Sequence, residues 1–219
     1  MLEIVQAGGW LMLPIIACSV IAVAIVLERL WTLQHSRVLP PDLTARAWNW
    51  VKSNELDAKN LQALHQSSPL GQVLAAGLAH RYSTRDVLKE TIEDAGRHVV
   101  HELERYLNPL GTIAAISPLL GLLGTISGMI RSFTAITSEG VGNPTVLAGG
   151  ISEALITTAA GLIVAIPALI AYRYLRGRID SLVIEMEKES IKFLEALVHQ
   201  RSELLKVSDE AAEPRKRRA

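Results

Sequence analysis

The sequence predicts an all-α integral membrane protein with three transmembrane helices, the second and third of which are extended as long cytoplasmic helices. Three apolar runs, each long enough to cross a bilayer, support this prediction: two contain no charged residue and the third contains one carboxylate. They cover residues 4–27, 106–130 and 140–172. Hydrophobic residues make up 49% of the 219 residues but the mean hydropathy is only +0.27, so we expect a substantial aqueous part beside the spans.

The first span is expected to stay in the mature protein as a membrane helix. Trp10 and Trp31 bracket it as interfacial aromatic residues do. The run is too long for the core of a signal peptide, and only the acidic Glu3 precedes it, so cleavage is not expected.

The distribution of arginines predicts the orientation. On one side of the three spans lie Arg29, Arg37, Arg105, Arg173, Arg176 and Arg178. The other side carries only Arg131, which Glu139 offsets. Because basic residues are enriched in cytoplasmic segments, the N-terminus should be periplasmic and the C-terminus cytoplasmic.

The region between the first and second spans is soluble in character. Ser67-Ser68-Pro69 precedes a predicted helix with one apolar face, formed by Leu70, Val73, Leu74, Gly77, Leu78 and Tyr82. An apolar stripe then predicts one continuous helix from about Thr84 to Thr137. The fold of residues 40–66 stays open.

The third span should also continue as one helix, ending at about Val207. Apolar residues follow Arg173 at helical spacing, at Ile179, Leu182, Val183, Met186, Phe193, Leu194, Leu197 and Leu204. Residues 208–219 mix acids, a proline and a basic run, and are predicted to be disordered.

Together these expectations divide the chain into seven segments. They are a periplasmic N-terminus (1–9), transmembrane helix 1 (10–31), a cytoplasmic helical region (32–108), transmembrane helix 2 (109–136), a periplasmic loop (137–146), transmembrane helix 3 (147–173), and a cytoplasmic helix with a disordered tail (174–219).

Glu153, the one acid in the third span, is the leading functional candidate. From a helix start near Val146 it lies about 10 Å below the surface of the hydrocarbon layer, too deep for easy snorkelling. Facing lipid would cost a few kcal/mol, so the acid should face protein, water or a partner helix, where it can carry a proton. The alternative is a protonated carboxyl that clamps a neighbouring helix, and the residues alone favour neither.

Hydroxyl groups accompany this acid. Thr157 is one turn from Glu153 on the same helix face and could donate to the carboxylate or order a water. Alternatively, Thr157 and Thr158 bond back to their own helix, as is common for hydroxyls within spans.

The second span is rich in small residues. Gly124 and Gly128 have the spacing of a helix-packing face, which Gly121 extends by one turn. Pro118 removes a backbone hydrogen bond, and either leaves a free carbonyl in the span or only kinks the helix.

Charge balance and residue types exclude other classes of function. Basic and acidic residues number 22 each, which does not suit a nucleic-acid-binding protein. The one cysteine, Cys18, allows no disulfide framework and no thiolate metal site. Residues 101–105 begin like a zinc-protease motif but lack its second histidine. We therefore expect neither an enzyme with a catalytic residue nor a metal or cofactor.

Two segments carry a family resemblance. SPLLGLLGTISGMIRSF (117–133) and GGISEALITTAAGLIVAIPA (149–168), joined by a short outer loop in a three-span chain, resemble the ExbB/TolQ branch of the MotA/TolQ/ExbB proton-channel family, and ExbB most of all. The likeness covers both later spans and the topology. The stretch before Arg97 resembles the family only loosely.

The resemblance implies an inner-membrane motor stator built as a homopentamer. Its pore would enclose the single transmembrane helices of two ExbD- or TolR-like subunits, and a TonB- or TolA-like protein and membrane lipids would be further partners. By motif position, Glu153 resembles the acidic pore residue, Thr125 and Thr158 the pore hydroxyls, and Pro118 and Pro167 the span prolines. Helix geometry instead favours Thr157 beside Glu153, so both threonines are candidates, with Thr158 ranked first.

The expected function is therefore conversion of proton motive force into mechanical work on the TonB or Tol-Pal system. The alternatives are a TolQ-type motor for envelope maintenance and a non-conducting membrane scaffold. A flagellar MotA-like stator is disfavoured because MotA-like chains have four spans, whereas three are predicted here.

Overall fold

The computed structural model describes residues 8–53, 56–139 and 144–216, and every regular element in these residues is an α-helix. We number the helices in chain order: α1 (Met12–Thr32), α2 (His35–Val38), α3 (Leu43–Lys52), α4 (Ala58–Ser67), α5 (Pro69–Ala79), α6 (Arg85–Leu103), α7 (Leu107–Glu139) and α8 (Pro144–Lys216).

Three segments of the described chain are long and apolar enough to cross a membrane. They are Met12–Thr32, Arg85–Thr137 and Leu147–Gln200. They coincide with the three runs in the sequence, and the second and third are much longer than a bilayer requires. The predicted all-α membrane fold is confirmed.

The chain folds into two compact units, each with its own packing. The first contains α1, α7 and the part of α8 up to Gly177, and thus holds the three apolar runs. The second contains α2 to α6 and the rest of α8.

The second unit is built around α5, whose start was predicted correctly. Ser68 caps the helix by accepting a hydrogen bond from the Gly71 amide at 3.0 Å, and Pro69 occupies its first turn. The predicted apolar face of α5 is buried, at Leu70, Val73, Leu74, Gly77 and Leu78. Most of the apolar positions predicted on α8 are buried as well: Ile179, Leu182, Met186, Phe193, Leu194 and Leu197. Tyr82 was wrongly included, because it follows the helix end and is 75% exposed, with Arg81 over its ring.

The predicted single helix from Thr84 to Thr137 is wrong in one respect. The helix stops at Leu103 and restarts at Leu107. In an uninterrupted helix the ring of Pro109 would clash with the carbonyl of Arg105. The break places Pro109 in the first turn of α7, where its missing N–H costs nothing.

Tyr106 is the last residue of this break and has an unusual backbone conformation. Its φ is +68°, in the left-handed region that a side chain with a Cβ seldom adopts. The guanidinium groups of Arg29 and Arg105 lie 5.2 and 4.9 Å from the centre of its ring. Aromatic–cation contacts at these distances hold the residue in a conformation that its backbone disfavours.

We expect Tyr106→Gly to be more stable than Tyr106→Ala. Both variants lose the ring, but glycine also escapes the left-handed penalty of about 1–2 kcal/mol. Thermal unfolding in detergent should therefore give the glycine variant the higher midpoint. At Tyr174, in the interior of α8, the order should reverse, because glycine costs about 1 kcal/mol relative to alanine within a helix. The same order at both positions would contradict the strain at Tyr106.

The ends of α8 also differ from expectation. The helix begins at Pro144, two residues before the start expected near Val146, and residues 140–143 of the predicted outer loop lie outside the described residues. At the other end the helix passes Val207 and reaches Lys216, through much of the tail predicted to be disordered. Alanine, glutamate and lysine in this stretch have high helix propensity, which the prediction underweighted.

Candidate functional site

Glu153 lies on α8 and points at protein rather than away from it. Its Oε2 accepts a hydrogen bond from Arg131 Nη1 of α7 at 2.8 Å. The Glu153 side chain is 16% exposed, whereas that of Arg131 is 52% exposed. The carboxylate is thus covered, and its cationic partner keeps access to the surroundings.

The second carboxylate oxygen lies close to Gly9. A Cβ placed on Gly9 would overlap Glu153 Oε1. Gly9 also has a φ of +68°, so both its conformation and the space around it require glycine. The turn that precedes α1 therefore lies beside Oε1, while Arg131 binds Oε2.

Thr157, which helix geometry placed beside Glu153, is fully buried. Its hydroxyl donates to the main-chain carbonyl of Glu153 and lies 3.4 Å from the Gly8 carbonyl. The hydroxyl therefore bonds back to its own helix, the alternative considered from the sequence, and not to the carboxylate.

The other two threonines use their hydroxyls elsewhere. Thr158 donates across to the Gly121 carbonyl of α7 at 3.1 Å, and so ties the two helices together. Thr125 donates to Leu122 of its own helix at 2.6 Å. The structure thus brings Arg131, Gly9 and Thr157 around Glu153, while Thr125 and Thr158 have other partners.

Small residues let the backbones of α7 and α8 come into close contact. A Cβ on Gly161 would lie 2.6 Å from the Ser117 carbonyl oxygen, and one on Gly128 would lie 2.6 Å from the Gly150 carbonyl oxygen. One on Gly124 would lie 2.5 Å from Thr157 Cβ. This close packing fixes the position of Arg131 relative to Glu153, since each residue extends from one helix of the pair.

The two span prolines do not end their helices. α7 continues through Pro118 and α8 through Pro167. Beside the first, the buried Ser117 hydroxyl donates to the Ile113 carbonyl at 2.7 Å.

The sequence contained a signal for Arg131 that was used only for orientation. Arg131 lies eight residues before the end of α7 at Glu139, and Glu153 lies nine residues after the start of α8 at Pro144. In an antiparallel helix pair joined by a short loop, such residues lie at similar depth. The Gly8–Gly9 turn had no such signal, because only tertiary packing brings it to Glu153.

Three span-length apolar segments and a covered, ion-paired acid within one of them define a multi-pass membrane protein with an ionisable site among its helices. The chain belongs to the MotA/TolQ/ExbB proton channel family, whose model matches residues 65–188. The match includes Arg131 and Glu153, and it begins well before Arg97, where the resemblance had looked loose. Gly8 and Gly9 lie outside it.

Similar proteins carry ExbB and TolQ names. An ExbB-like biopolymer transport protein of Synechocystis is 36% identical over 77% of this chain and 67% of its own length. The biopolymer transport protein exbB1 of Vibrio cholerae is 30% identical over 84% of this chain and 83% of its own. The Tol-Pal system protein TolQ of Pseudomonas aeruginosa is 28% identical over 78% and 79%. The ExbB/TolQ resemblance found in the sequence is thereby confirmed.

Proposed function

We propose that this chain is a proton-channel and stator subunit of the inner membrane that converts proton motive force into mechanical work on a TonB-type system for outer-membrane transport. The observation that carries the proposal is Glu153, an ionisable side chain inside an apolar helix, 16% exposed and paired with Arg131. The family description and the biopolymer-transport names of two relatives support this reading.

We infer a homopentamer whose pore encloses the transmembrane helices of two ExbD- or TolR-like subunits, with a TonB- or TolA-like protein downstream. The exposed apolar surface of α7 supports an assembly, because lipids or neighbouring helices must cover it. Its large exposed side chains include Leu119, Leu122, Ile126, Ile130 and Phe133. The arginine distribution supports a periplasmic N-terminus and a cytoplasmic C-terminus.

In this proposal Glu153 accepts a proton from the outer side and passes it toward an acid on the partner helix. Thr158 and Thr125 supply pore hydroxyls, and Thr157 holds the main chain at Glu153. One charge that crosses 100 mV releases about 2.3 kcal/mol, several times the thermal energy, which is enough to bias movement of the inner helices.

Proton flux into vesicles tests the channel. The purified chain assembled with its ExbD-like partner is reconstituted, a membrane potential is imposed by potassium diffusion, and internal pH is followed with a dye. We expect potential-driven acidification that empty vesicles lack. Vesicles that contain the assembled complex but stay as proton-tight as empty ones would refute conduction and favour a non-conducting scaffold.

A TolQ-type motor for envelope maintenance is the second candidate, favoured by the similarity to TolQ of Pseudomonas aeruginosa. Deletion of the gene separates the two. Loss of energised outer-membrane uptake with an intact envelope supports the TonB-linked role, whereas sensitivity to detergents with normal uptake supports the Tol-Pal role.

A further inference from the structure

The Arg131–Glu153 pair is asymmetric in its access to the surroundings. The guanidinium belongs to a long side chain that is 52% exposed, while the carboxylate it binds is 16% exposed. A long arginine side chain can move its charged head to water and keep its stem on apolar surface. If the pair opens, therefore, the arginine is the partner able to leave.

Three elements surround the carboxylate, and each contributes a different group. α7 contributes Arg131, the charged group that the structure pairs with Glu153. The turn before α1 contributes Gly9, where an added Cβ would overlap Oε1. α8 itself contributes the Thr157 hydroxyl, which is bonded to the main chain. Within the described residues the structure pairs one charged group with Glu153, and Gly9 itself places no side chain against the acid.

A proton and this guanidinium compete for the same carboxylate. The ion pair favours the charged form of the acid, and a proton that binds Glu153 removes the attraction that holds Arg131 in place. Gly9 leaves room for the carboxylate in this position, because a Cβ at residue 9 would overlap Oε1.

We propose that Arg131 is a positioning residue that gates protonation of Glu153, and that Gly9 leaves the carboxylate the room it needs to bind the guanidinium. In the closed arrangement Glu153 is a carboxylate bound to the guanidinium. When a proton binds, Glu153 becomes a neutral acid, and Arg131 keeps its own proton and moves outward. When Glu153 gives its proton to the next acceptor, the carboxylate forms again and the pair closes.

This inference rests on the proposed function, which it deepens by naming the group that controls proton entry. A gate of this kind makes entry depend on outer proton concentration.

The test compares the pH profile of uptake for wild type, Arg131→Gln and Arg131→Lys in the assembled complex. We expect half-maximal uptake of the glutamine variant to move toward alkaline outer pH, because a proton no longer competes with a guanidinium for the carboxylate. The lysine variant keeps the charge and should stay near wild type. Arg173→Gln, which removes an exposed cation from the same unit, should leave the profile unchanged.

Gly9→Ala provides an independent variant. The added Cβ overlaps Glu153 Oε1, so the carboxylate has to leave the position in which Arg131 binds it, and the profile should shift in the same direction. Gly149→Ala is the matched control, since nothing lies within 4 Å of a Cβ at that position.

Infrared spectroscopy gives a readout that does not depend on transport. The protonated-carboxyl band that Glu153→Gln removes should grow in at higher pH in Arg131→Gln than in wild type. A shifted band and profile support the gate. If wild type conducts and the variants change only the rate of uptake, with the infrared band and the pH profile unshifted, the proposed gate is wrong but the proposed channel function is not. If wild type does not conduct, the proposed function fails, and an unshifted band would then overturn the ion-pair competition as well.

Discussion

Glu153→Gln is expected to reduce potential-driven proton uptake to the level of empty vesicles while the complex stays assembled. Glutamine nearly matches the shape of glutamate but cannot bind and release a proton at physiological pH. Arg131 loses its ionic partner, but it is half-exposed and can turn to water, so no uncompensated buried charge is left. Uptake by reconstituted vesicles and the partner content of the purified complex are measured together.

Glu187→Gln is the matched control, because it removes an exposed acid from the same helix in the other unit. It should conduct like wild type. Wild-type uptake by Glu153→Gln at equal partner content would demote Glu153 to a packing residue. Loss of assembly in that variant alone would instead identify the carboxyl as a helix clamp.

Gly161→Leu is expected to destabilise the helix pair severely. A Cβ at this position lies 2.6 Å from the Ser117 carbonyl oxygen and 3.2 Å from Gly121 Cα, so main-chain atoms would have to move. Separation of the helices would also break the Thr158–Gly121 hydrogen bond. Overpacking typically costs about 1–3 kcal/mol, and a whole leucine against backbone should lie at or above the top of that range.

Gly149→Leu makes the same chemical change on the same helix, at a position with nothing within 4 Å. Both variants gain the same helix propensity of about 0.8–1 kcal/mol, so the difference between them isolates the packing against α7. Unfolding midpoints in detergent and the yield of assembled complex should fall for Gly161→Leu only. Equal midpoints would show that the close approach of α7 and α8 is not needed for stability.

The spans were predictable because crossing a bilayer requires about 20 consecutive apolar residues, and runs of that length are uncommon outside membrane helices. The break at Glu104–Tyr106 was not predicted, although Pro109 signalled it, because the apolar stripe keeps its register across the break. Tyr82 was misplaced for a related reason. The helical spacing of apolar residues continues to Tyr82, although the helix ends at Ala79.

The site was predictable in its centre and not in its surroundings. The cost of a charge in an apolar run singles out Glu153 from sequence alone. Helix geometry also placed Thr157 on the correct turn, but a threonine hydroxyl in a span has a carbonyl of its own helix within reach, and it bonds there. The approach of Gly9 depends on contacts between distant parts of the chain, for which no local pattern exists.

The open position at Gly149 has a practical use. It lies one turn before Glu153 on α8, and a Cβ added there meets no atom of the described residues within 4 Å. The chain has one native cysteine, the half-buried Cys18 on α1, so a Cys18→Ala background would leave a cysteine introduced at residue 149 as the only thiol. A fluorophore attached to it would report on the neighbourhood of the acid during turnover, in real time and in single complexes.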